Sequence, residues 1–141
     1  MTYEIISKRI RKTIKIRQPE DLYQVLKKYT KSRQEVFLTI TLNCSHEVIG
    51  IHICTIGLIN RAIIHPREVY IHAILDNAFS IMIVHSHPSG SFKPSNEDEE
   101  ITKRMKQAGD LLGINVLDHL IISKKGFYSF RRDSKILFES Y

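Results

Sequence analysis

Cysteine is scarce: Cys44 and Cys54 are the two in 141 residues, and they do not make a Cys-x-x-Cys pair. That excludes a disulfide framework, argues against a cysteine-built metal site, and makes a reducing, cytoplasmic setting the expectation. No apolar run reaches the roughly 20 residues a bilayer crossing needs. The opening residues, Met1-Thr2-Tyr3-Glu4, lack the apolar core and small-residue cleavage site of a secretory signal, so secretion is not expected. Low-complexity tracts, internal repeats and a convincing linker are also missing, which removes disordered and fibrous classes.

What is present is ordinary for a folded protein: 43% hydrophobic and 26% charged residues. The length suits one domain able to bury roughly two-thirds of the surface its unfolded chain exposes. The net charge is +6, with a pI near 9.4. Thirteen of its 21 basic residues fall in three groups: Lys8, Arg9, Arg11, Lys12, Lys15 and Arg17; Lys103, Arg104 and Lys106; and Lys124, Lys125, Arg131 and Arg132. They are dispersed and carry no interleaved aromatics for base stacking, so a solvated surface with at most weak, non-specific nucleic-acid binding is expected.

Residues 1–18 read as an N-terminal arm or edge strand, β-branched residues mixed with lysines from Tyr3 to Ile16. Residues 19–141 read as the domain proper. Pro19-Glu20-Asp21 opens a helix to about Lys31, with Leu22, Val25, Leu26 and Tyr29 at helical spacing. Glu35 to Asn43 alternates as a strand, and Asn43-Cys44-Ser45-His46 turns it into a second strand, Val48 to Ile56. Pro66-Arg67-Glu68 starts a helix with Val69, Ala73, Ala78 and Phe79 toward the core. Ile81-Met82-Ile83-Val84 is apolar throughout, as a central strand covered on both faces requires. Ser95 caps a helix from Asn96 to about Leu112, ended by Gly113. Val116 to Ile122 and Gly126 to Phe130 read as strands. Alternating helices and strands give an α/β fold with a covered central sheet.

The chemistry gathers after the apolar strand. His85 and His87 stand two apart and project to the same side of a strand's end. Neutral imidazoles suit zinc, and a carboxylate can complete a three-residue set with a fourth position open, the catalytic rather than the structural pattern. Asp98, in the first turn of the following helix, can supply it. Ser95-x-x-Asp98 is equally a capping box that needs no metal, and spacing alone does not choose between the two. His46, His52, His65 and His72 have no partner at ligand spacing and are expected to be non-ligands. Asp118 and His119 are adjacent, so they face opposite sides of their strand; they are expected to be structural, with a place bordering the site as the alternative.

The segment from His85-Ser86-His87-Pro88-Ser89-Gly90 through Ser95 to Asp98 resembles the motif of the JAMM (JAB/MPN) metalloprotease superfamily. The resemblance is closest to its RadC-like branch, through Pro66-Arg67-Glu68 and Leu117-Asp118-His119-Leu120-Ile121-Ile122 as well. It extends from about Ser32 to Phe130. It implies a JAB/MPN fold, a central mixed sheet flanked by helices and similar to the cytidine deaminase-like fold. It also implies Zn2+ on His85, His87 and Asp98, Glu35 as general base, and Ser95 as a donor to the oxyanion. The implied activity is hydrolysis of a peptide or isopeptide bond in a protein or peptide substrate. The alternative is a DNA repair or mobile-element DNA-processing role.

Two departures bear on that choice. Ser86 stands where RadC-like proteins commonly have asparagine. The N-terminal helical region of full-length RadC proteins, similar to helix-hairpin-helix DNA-binding modules, has no counterpart in this sequence. The likeness is therefore to short forms associated with mobile elements, which weakens an inherited DNA role. A zinc deaminase is set aside, because it needs His-x-Glu and a later Pro-Cys-x-x-Cys. A non-catalytic interaction module is disfavoured by the complete residue set.

Overall fold

The computed structural model describes residues 7–9, 13–57 and 64–138. The helices are α1 (Pro19–Leu26, continued by a 3-10 turn at Lys27–Lys31), α2 (Pro66–Leu75), α3 (Asn96–Leu112) and the short α4 (Phe130–Asp133). The strands are β1 (Ser7–Arg9), β2 (Val36–Leu42), β3 (Val48–Ile56), β4 (Ser80–Ser86), β5 (Asn115–Ser123) and β6 (Gly126–Ser129). They form one six-stranded sheet in the order β1-β3-β2-β4-β5-β6. β4 and β5 are parallel, joined by the α3 crossover, and the other neighbours are antiparallel, so the sheet is mixed. No helix among the described residues is long and apolar enough to cross a membrane.

The alternation of β2 explains the layering. Val36, Leu38, Ile40 and Leu42 point into one core with Met82, Val84, Leu120 and Ile122, closed by Leu22 and Leu26 of α1. Phe37 points the other way, into a core of Ile81, Ile83 and Val116 closed by Val69, Tyr70 and Ala73 of α2 and Ile101 and Met105 of α3. The wholly apolar run Ile81 to Val84 is fully buried because both of its faces are covered. Each such side chain contributes roughly 1.5–3 kcal/mol.

Three expectations are corrected. α2 ends at Leu75, so Phe79 lies beyond it and is 58% exposed rather than in the core. Phe130 is not strand: the Ser129 hydroxyl accepts from the backbone N–H of Arg132 and starts α4 there. The last part of the first helix tightens to 3-10 geometry from Lys27. Ser7–Arg9 is an edge strand, while residues 1–6 and 10–12 of the expected arm lie outside the described residues.

Tyr70 of α2 reaches Gly109 of α3. A Cβ there would stand 2.5 Å from the Tyr70 hydroxyl and 2.6 Å from the Ile114 carbonyl oxygen. The Tyr70 hydroxyl donates to the carbonyls of Met105 and Ile114 from that position, so neither neighbour yields cheaply. Gly109→Ala is expected to destabilise the protein by about 1–3 kcal/mol, the range for overpacking. A thermal melt checks this, and an unshifted midpoint would mean that α3 slides freely on α2.

Candidate metal centre

The candidate site lies at the C-terminal end of β4, on the sheet face covered by α2 and α3. Register builds it. Phe37 pairs with His85, which puts Glu35, two residues earlier, beside the end of the histidine strand. The two histidines share a face with Ile83 and Ile81, whereas Ser86 faces the opposite side. His87 continues the ladder past β4, its N–H donating to the Ile122 carbonyl at 2.8 Å. The His85 and His87 rings meet edge to face, with centroids 4.7 Å apart.

Asp98 arrives from the first turn of α3 and does two jobs with two oxygens. Its backbone N–H donates to Ser95 Oγ at 3.1 Å, and its Oδ2 accepts from the Ser95 N–H at 2.9 Å, a complete capping box. Its Oδ1 lies 3.0 Å from His85 Nδ1, and Oδ2 lies 3.6 Å from His87 Nε2. Capping and site-facing roles are therefore not alternatives: the cap aims the carboxylate. Ser95 Oγ serves as acceptor in the cap, which leaves its hydroxyl proton available to a further acceptor.

His85, His87 and Asp98 each offer a ligand atom, all within 4.8 Å of one another, and the group could hold a metal ion. The surroundings fit one. His87 Nδ1 lies 3.0 Å from the Ser91 carbonyl, an acceptor that keeps the proton on Nδ1 and leaves the Nε2 lone pair toward Asp98. His85 is 3% exposed, and its Nε2 is buried without a hydrogen-bond partner. Glu35 Oε2 stands 3.9 Å from that nitrogen. Burial pulls the His85 pKa down, but the carboxylates of Asp98 and Glu35 outweigh it and the net shift is upward. Burial likewise disfavours the Asp98 carboxylate, yet the His85 and His87 rings beside it and the Ser95 N–H that donates to it hold it far below the usual carboxylate range. A centre that favours positive charge between two carboxylates suits a cation.

Other residues near the site left little mark in the sequence. Ser86 Oγ accepts from the Val36 N–H at 3.0 Å and so ties the residue after Glu35 to the end of β4. Thr102, one turn beyond Asp98, donates to the Asp98 carbonyl at 2.8 Å and lies 2.6 Å from His119 Nδ1. Its spacing of four from Asp98 was the available signal. His119 shares the histidine face, and its burial among apolar neighbours lowers its pKa to about 3. Asp118 faces the other way, as expected. It accepts from the Ser129 hydroxyl and the N–H groups of Arg131 and His119, and burial still raises it to about 6. His52 and His72 stack on one another elsewhere, with His52 Nε2 2.7 Å from Asp76.

Comparison with known proteins agrees with this geometry. The RadC-like JAB domain family matches residues 16–136. A UPF0758 protein of Thermotoga maritima is 39% identical over 137 residues, covering 93% of this chain and 61% of the relative. One from Alkaliphilus metalliredigens is 45% identical over 121 residues, 85% of this chain and 52% of the relative. One from Chlorobium chlorochromatii is 46% identical over 101 residues, 72% of this chain and 45% of the relative. The chain thus spans about half the length of the relatives it matches. With the family match running from the α1 side of the sheet through the site to the end of α4, this chain belongs to the RadC-like JAB domain family.

Proposed function

We propose that this chain is a zinc-dependent hydrolase of the JAMM type, cleaving a peptide or isopeptide bond in a protein or peptide substrate. The observation that carries the reading is the convergence of His85, His87 and Asp98 within 4.8 Å, with Glu35 beside the unpartnered His85 Nε2. His85, His87 and Asp98 would hold the ion. Zinc in such a site lowers the pKa of water to about 7 and polarises a carbonyl.

The chain's own groups supply the rest. Glu35, a carboxylate on the rim of the site, takes the proton of the attacking water and returns it to the leaving amine. The Ser95 hydroxyl, its proton not used by the cap, donates to the substrate carbonyl oxygen as charge builds there. Ser86 holds the start of β2 so that Glu35 stays in reach. The free Cys44 and Cys54 support a cytoplasmic setting.

A second reading, DNA repair or mobile-element DNA processing, draws on the net charge of +6. One experiment separates the two. Protein purified without chelator is analysed for metal and then offered peptide, isopeptide and DNA substrates, with and without chelator. The expected result is about one zinc per chain, chelator-sensitive amide cleavage, and DNA binding that is weak and falls steeply with salt. Metal-dependent DNA cleavage, or sequence-selective binding at physiological salt, would favour the second reading. Absence of metal together with no stabilisation by added zinc would sink the first.

A further inference from the structure

His119 is an expensive residue to bury. It is 0% exposed, stacked on Phe130 with ring centroids 4.8 Å apart, and 6.1 Å from the Phe37 ring. Its Nε2 is buried with no hydrogen-bond partner, which is destabilising relative to a satisfied group. Packing alone does not call for such an atom, because a phenylalanine ring would fill an aromatic slot between Phe130 and Phe37 without it. Residues that break a local rule in this way concentrate where function constrains them.

What the imidazole does make is a connection. Thr102 spends its single hydroxyl proton on the Asp98 carbonyl, so its oxygen accepts from His119 Nδ1–H at 2.6 Å. The chain His119, Thr102, Asp98 ties β5 to the first turn of α3. His119 pairs with Ile83 and His85 with Ile121, so His119 sits on the same face of the neighbouring strand, one pleat deeper than His85. Asp98 is the ligand that must cross from helix to sheet, and this is a buried polar tie between the two at that turn.

We propose that His119 is a positioning residue for the metal site, bracing the Asp98 turn through Thr102 so that the carboxylate meets His85 and His87. The inference rests on the metal reading above. It makes His119 part of the support of the ligand set rather than a ligand.

The test is cobalt(II) titration of metal-free protein, with a thermal melt of the same sample. His119→Phe fills the slot and removes the unpartnered nitrogen, so its metal-free melting point should equal or exceed that of the wild type. Its cobalt affinity should nonetheless fall about 10- to 100-fold, as for loss of a ligand's outer support. His119→Asn places an amide N–H where Nδ1–H stood and should recover much of that affinity. His119→Gln reaches instead to the Nε2 position and should recover less. Thr102→Val removes the hydroxyl from the middle of the brace and should reproduce the loss. Combined with His119→Phe, it should add little, because both break one connection. Thr102→Val also carries the test if His119→Phe does not fold.

His119→Phe or Thr102→Val binding cobalt as tightly as the wild type would overturn the inference and leave the metal reading standing. So would a lower melting point and weaker binding in His119→Phe that His119→Asn does not rescue, the mark of a packing role. A wild type that binds no cobalt overturns both readings.

Discussion

Glu35→Gln is expected to keep its zinc and its fold and to lose turnover by about 100- to 10,000-fold, the contribution of a general base. Glutamine preserves the size and polarity of the side chain but cannot accept a proton at neutral pH. Glu35 borders the candidate ligand set without belonging to it: its Oε2 is 3.9 Å from His85 Nε2, and its side chain is 27% exposed. Metal retention and loss of activity should therefore separate cleanly in this variant. Zinc analysis and circular dichroism beside the rate measurement check it. Loss of zinc along with activity would make Glu35 a ligand or a structural residue. Unchanged turnover would remove it from the mechanism.

Asp98→Asn should show the converse, losing zinc through dialysis while largely keeping the start of α3. The amide oxygen can still accept from the Ser95 N–H, so the cap survives, but the anionic ligand is gone. Asp98→Ala should lose the metal too, and in addition about 0.5–2 kcal/mol of stability from the broken capping box at the start of α3. pH gives an independent check on metal-free protein. Asp98 is held well below its ordinary value of 3.8, so it contributes stability that is present above about pH 4 and lost as pH falls below that. The melting point of Asp98→Asn should lack that acid-side decline relative to the wild type. Full zinc retention in both Asp98 variants would reassign the site to other residues.

Much of this was legible in the sequence because it rests on period and spacing. The alternation in β2 and the unbroken Ile81 to Val84 run set the layers of the sheet, and both depend on side chains along one strand. The histidine pair and Ser95-x-x-Asp98 are short-range patterns, and the fold keeps each where its spacing puts it. The sequence left Asp98 undecided between cap and ligand because it cannot show that two oxygens divide the work.

Long-range register was not legible. The pairing of Phe37 with His85 is what brings Glu35 to the site across fifty residues of chain, and only the family resemblance pointed to it. The links from Ser86 to Val36 and from His119 through Thr102 to Asp98 likewise join residues on different elements. Phe79 was misplaced for a local reason. Asn77 adopts a positive φ of 53° just after α2, and the chain leaves the helical period before Phe79 is reached.

X-ray absorption at the zinc edge of the purified protein is the most direct measurement of the central claim. The account predicts a first shell of light atoms only, with the multiple-scattering signature of two imidazoles, and the loss of one of them in His87→Ala if any zinc remains bound. A sulfur shell, which would bring in Cys44 or Cys54, or a two-imidazole signature that persists in His87→Ala, would contradict it.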